Sequence, residues 1–190
     1  MTDTTKAAAA TATTPPAPQL TDVNYVALVD EANTADSAAG QLAATKGTSA
    51  AVKEFGHQMV RDHHMLRKEG QDLAKKESLT PQPPSNDTLQ TASQKMLDSL
   101  KSMPKGAAWD KAYIDNEVAV HQSVLSLLQT AQSSAQDSSL KALLTKAQPV
   151  IQGHLTKAQA IQSKLNGAAA APGADTGAMK SKRDTTKKKP

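Results

Sequence analysis

The sequence predicts an all-α protein, an antiparallel four-helix bundle with a short extra helix in the crossover between its two helix pairs. Three observations carry this. Aromatic residues make up only 2% of the 190-residue chain, and its wealth of alanine, leucine, glutamine and serine suits close-packed helices better than strands, which favour β-branched and aromatic side chains. Apolar residues recur at steps of three and four along four long segments, the spacing of one helix face. Turns of only a few residues join these segments in pairs, which makes the paired neighbours antiparallel.

The first helix is expected from about Thr21, where "TDVN" reads as a cap, to about Lys46, with Gly47 as its stop. Its inward stripe is Tyr25, Leu28, Val29, Ala32, Ala35, Ala39 and Leu42. The second is expected from near Ser49 to near Glu77, with Val52, Phe55, Met59, His63, Leu66, Gly70 and Leu73 inward. "SLTPQPPSND" then breaks the chain, because closely spaced prolines remove backbone donors and clash with a helix. A short helix from about Asp87 to Ser102 follows and ends at "MPKG".

The third long helix spans about Ala107 to Ala131, with Tyr113, Glu117, Val120, His121, Val124 and Leu128 inward, and "SSAQDSS" makes the turn. The fourth runs from about Ser138 to Leu165 on a stripe of Leu140, Leu144, Ala147, Ile151, His154, Ala158, Ile161 and Leu165. Pro149 falls inside that pattern and predicts a kink. The crossover of roughly 30 residues is long enough for an up-down-up-down or a ferritin-like connection; spacing leaves both open.

Outside the bundle domain, residues 20–166, lie an Ala/Thr/Pro-rich spacer over 1–19 and a basic tail over 167–190. Both are expected to be disordered, since they offer too little apolar surface to offset the entropy of ordering. The tail after Gly167 holds six Lys or Arg against Asp175 and Asp184, which accounts for the whole formal charge of +4. The body is therefore near neutral, and no specific nucleic-acid surface is indicated. The lysine run suits only weak, salt-dependent contact with anionic surfaces.

No apolar run is long enough to span a bilayer. The absence of cysteine excludes disulfides and thiolate ligands. The N-terminal stretch has no apolar core of a secretion signal, yet it resembles the spacer that follows a removed one, with the first Met then an addition. A periplasmic or extracellular location is expected on that ground, with the cytoplasm left open.

The histidines carry the one chemical signal. His63, His121 and His154 each lie on the apolar stripe of a different helix, while His57 and His64 fall off it toward solvent. Glu117 is one turn before His121 on the same face, and Asp36 borders the first stripe. At 1.5 Å of rise per residue, Asp36 lies about 17 Å from its short turn, His63 and His121 about 22–23 Å, and Glu117 and His154 about 27–28 Å. All five groups thus approach mid-bundle under either connection. Three neutral imidazoles with one carboxylate, Asp36 or Glu117, make a plausible ligand set for one transition-metal ion, zinc, copper or iron.

The segments "VKEFGHQMVRDH", "AAWDKAYIDNEVAVHQSVLSLL" and "LKALLTKAQPVIQGHLTKAQAI" resemble, in order and spacing, a bacterial family catalogued as domain of unknown function 4142. The likeness covers about residues 21–166. It implies a ferritin-like helical bundle, commonly exported, whose recurring histidines fall on His63, His121 and His154. The family's acidic position on the first helix falls on Asp36, where glutamate is more usual, and an acid at Glu117 is not a regular feature of the family. A ferritin-type di-iron centre takes a Glu-x-x-His from each of two helices. Here Glu117 and His121 are four apart and glutamates are too few, so neither ferroxidase activity nor an iron-storage shell is expected.

Two functions follow from these residues: metal handling or a stress role in the cell envelope, or a structural or interaction bundle whose histidines only pack. No nucleophile elbow, phosphate loop or cofactor fingerprint points to an enzyme.

Overall fold

The structure, a computed structural model, describes residues 19–170, with side chains to residue 167. The spacer and the basic tail expected at the two ends lie outside the described residues except for their inner edges. Among the described residues the fold is all-α: α1 (Asp22–Lys46), α2 (Ala50–Lys76), α3 (Leu89–Ser102), α4 (Ala107–Ser134) and α5 (Ser138–Ala170). Three of the four long helices begin where the sequence offers a side-chain cap, and α4 follows Gly106 without one. Asn24 accepts from the Thr21 backbone N–H at 2.9 Å, Ser49 accepts from Val52 N–H at 3.1 Å, and Asp137 accepts from Leu140 N–H at 2.7 Å. These contacts satisfy donors that a helix start leaves free.

Helices α4 and α5 run past the ends expected for them, to Ser134 and Ala170. The added residues are mainly alanine, glutamine and serine, and alanine extends a helix most readily. Pro149 is accommodated inside α5.

Helices α1 and α2 form one tightly packed pair and α4 and α5 the other, and the pairs meet along α2–α5 and α1–α4. The approach of α1 to α2 depends on two glycines. A Cβ on Gly40 would stand 2.8 Å from the Gly56 carbonyl oxygen, and one on Gly56 would stand 2.6 Å from the Gly40 oxygen. Only hydrogen at both positions lets the backbones meet this closely. Two hydrophobic clusters fill the interior, one around Leu125, Leu128, Leu140 and Leu144, the other around Phe55, Met59, Trp109 and Tyr113.

Two aspartates fix how the pairs connect. Asp110, in the first turn of α4, accepts from Thr48 N–H and Ser49 N–H at 2.8 Å each, and so grips the α1–α2 turn. Asp22, in the first turn of α1, accepts from Gln136 N–H and Asp137 N–H at 2.8 Å each, and grips the α4–α5 turn. Each pair thus starts against the other pair's turn. Helix α4 runs opposite to α1, and the segment holding α3 crosses the length of the molecule. Lys46 anchors that strap by donating to the carbonyls of Leu100, Lys101 and Met103 at 2.6–2.9 Å, a cation at a helix C-terminus. No described helix is long and apolar enough to cross a membrane.

Candidate metal centre

His63 on α2, His121 on α4 and His154 on α5 meet in the core, each no more than 1% exposed. Their ring centroids are 5.1–5.5 Å apart, and one donor atom from each lies within 4.8 Å of the others. Three nitrogens about 2.1 Å from one tetrahedral ion would stand roughly 3.4 Å apart, so modest side-chain rotation closes the set onto an ion. His57 and His64 are exposed, as their helix positions require.

Each ring has one nitrogen fixed and the other free. His63 Nδ1 pairs with the Asn33 side-chain oxygen at 2.8 Å, His121 Nδ1 with the Glu117 carbonyl at 2.9 Å, and His154 Nε2 with the Asp62 carboxylate at 2.9 Å. Nε2 of His63, Nε2 of His121 and Nδ1 of His154 are buried without a partner. A partner that orients the ring and leaves its other nitrogen free is the arrangement metal-ligating histidines use.

Burial, reinforced by the neighbouring rings of His121 and His154, holds His63 well below the usual histidine range. Burial, then His154, lowers His121 to about 4, against the opposing effect of the Glu117 carbonyl. Burial also lowers His154, although Asp62 opposes it. All three rings are therefore neutral near pH 7, which leaves each free nitrogen with a lone pair.

Asp36 and Glu117 join this cluster, at 2% and 0% exposure. Asp36 Oδ2 is 3.7 Å from His63 Nδ1, and Glu117 Oε2 is 3.5 Å from His121 Nδ1. Burial pushes Asp36 up. Burial, then Asp36, pushes Glu117 well above the usual carboxylate range, while the Tyr113 hydroxyl opposes. Tyr113, buried beside Glu117, is raised well above the ordinary tyrosine value by burial first and then by the Glu117 and Asp36 charges. Neither the Tyr113 hydroxyl nor either Glu117 oxygen makes an aligned hydrogen bond. An unpartnered buried polar group costs about 1–3 kcal/mol, so the cluster is a strained place in an otherwise apolar interior.

A cavity of about 50 Å³ adjoins it, walled by Val26, Leu66, Leu128 and Leu144 and reaching His63 and Asp36. It is roomy enough for a few waters.

The structure brings together all five residues that the sequence singles out. It also adds three whose part the sequence did not reveal. Asn33 has a retrospective signal, since Asn33, Asp36, Gly40 and Ala43 step along α1 as a second stripe. Asp62 gives none beyond its place beside His63. Tyr113 is in the core as expected, but its hydroxyl belongs to the cluster.

Fold and site together define a helical protein with a buried triple-imidazole cluster able to hold a metal ion. The chain belongs to the family described as a domain of unknown function (DUF4142), whose model matches residues 5–161. It matched no curated protein and no solved structure.

Proposed function

We propose that this protein binds one transition-metal ion, zinc, copper or iron, through His63, His121 and His154, and serves metal handling or a stress response in the bacterial cell envelope. The observation that carries this reading is the free nitrogen on each of three buried rings whose other nitrogen already has a partner. Asp36 and Glu117 form an adjoining group with His121, close enough to offset the ion's charge. Asn33, the Glu117 carbonyl and Asp62 aim the rings. The envelope location rests on the likeness to a commonly exported family. A ferritin-like four-helix bundle is the architecture proposed for the four long helices, supported by the crossover that spans their length.

Titration of the tag-free protein with Zn(II) and Cu(II) near pH 7.5 tests the reading, the imidazoles being neutral there. One ion is expected to bind tighter than about micromolar, or roughly −8 kcal/mol, and His63→Ala or His154→Ala is expected to abolish it. Weaker binding, or equal binding by the variants, overturns the reading.

One observation favours a structural bundle instead: each ring already has a hydrogen-bond partner, as a packed core histidine would. In that case chelator leaves the melting temperature unchanged.

A further inference from the structure

The two buried carboxylates stand apart from the free imidazole nitrogens. Asp36 approaches His63 at Nδ1, 3.7 Å away, and Glu117 approaches His121 at Nδ1, 3.5 Å away. The partnerless nitrogens of those two rings are Nε2. The nitrogens of one imidazole point in diverging directions, so an ion held at Nε2 lies across the ring from these carboxylates.

The carboxylates have their own neighbourhood. Donor atoms of Asp36, Glu117 and His121 lie within 4.8 Å of one another. Tyr113, one turn before Glu117 on α4 and fully buried, adds a hydroxyl beside Glu117 that makes no aligned hydrogen bond. Both Glu117 oxygens are likewise unpartnered. Among the described residues the ion-pair contacts of the two acids are with the rings of His63 and His121, and no Lys or Arg reaches them.

We propose that Asp36, Glu117 and the Tyr113 hydroxyl form a second cation compartment, taking a hard divalent ion such as Mn(II), with His121 standing between it and the imidazole-bound ion. This rests on the imidazole site and extends it. Carboxylate and phenol oxygens suit Mg, Ca or Mn, whereas imidazoles suit Zn and Cu, so the two compartments differ in preference. Calcium takes six to eight oxygens, more than this compartment supplies, and magnesium keeps several waters. Mn(II) tolerates a small oxygen set of this kind, and the two carboxylates carry the charge that offsets one divalent ion. Asp36 also lines the cavity, which gives a cation on its side room for a water ligand.

The test loads the full chain with one equivalent of Zn(II), adds Mn(II), reads free Mn(II) by electron paramagnetic resonance, and measures both metals in the recovered protein. The expected result is one Zn and one Mn per chain. Glu117→Gln, nearly isosteric, should keep the zinc and weaken Mn(II) by about tenfold or more. Asp36→Asn should do the same and guards against a folding defect in either variant, with circular dichroism as the check. Zinc bound without manganese, manganese that displaces zinc, or unchanged Mn(II) affinity in both variants overturns the second compartment and leaves the imidazole site standing. Failure to bind zinc at all overturns the imidazole site, and this inference with it.

Discussion

His154 on α5 donates from Nε2 to the Asp62 carboxylate on α2 at 2.9 Å, and that bond determines that Nδ1 is the nitrogen left free. A carboxylate that holds a ligating imidazole fixes its tautomer and raises its basicity. Asp62→Ala should therefore weaken Zn(II) binding by about 10–100-fold without unfolding the protein. Calorimetric titration measures this, and an unchanged affinity would show that Asp62 is only a neighbour.

Metal binding should also appear as heat resistance. At free ion about 100 times Kd, binding to the folded state alone adds roughly 2.7 kcal/mol. For a domain of this size that raises Tm by about 5–10 °C. His63→Leu should lose this rise, while the metal-free protein changes little, because removing the partnerless Nε2 is offset by leaving the buried Asn33 oxygen without its bond. A metal-dependent rise that survives His63→Leu contradicts the assignment.

The metal-free fold should be squeezed from both sides of pH. The histidines titrate at 6.5 when unfolded, and His121 at about 4 when folded. Between those values the unfolded chain binds more protons, so the stabilisation present above 6.5 is lost as pH falls toward about 4. The carboxyls act in the opposite sense. Asp36 and Glu117 start from 3.8 and 4.5 and are raised on folding. The folded state then holds protons the unfolded chain has released, and stability falls as pH rises through their folded values. Glu117→Gln should lessen the alkaline loss and leave the acid loss intact. Denaturant midpoints in chelator across about pH 4–8.5 measure this, and parallel curves for variant and parent would refute it.

Gly40→Ala should destabilise the protein by about 1–3 kcal/mol despite alanine's better helix propensity. Its Cβ would stand 2.8 Å from a backbone oxygen of α2. The same contact sets the register that lays Asn33 and Asp36 against His63, so metal affinity should fall as well. Gly70→Ala is the control, because a Cβ there meets nothing within 4 Å, and it should be neutral or stabilise by up to about 1 kcal/mol. Chemical denaturation of both variants separates the two cases.

The periodic apolar spacing by itself determined the all-α class, the helix starts and the burial of His63, His121 and His154, because a period near 3.6 specifies which face turns inward. The same periodicity separated His63 from its exposed neighbour His64. Spacing could not say which nitrogen of each ring stays free. For His63 and His154 that depends on Asn33 and Asp62, contributed from other helices, and on the close α1–α2 approach at Gly40 and Gly56. Nor could it choose the connection between the pairs, since a crossover of some 30 residues reaches either end of a bundle. In the tertiary structure Asp110 and Asp22 each satisfy the backbone donors of a turn far away in sequence, and those long-range bonds, which no local spacing encodes, set α4 antiparallel to α1.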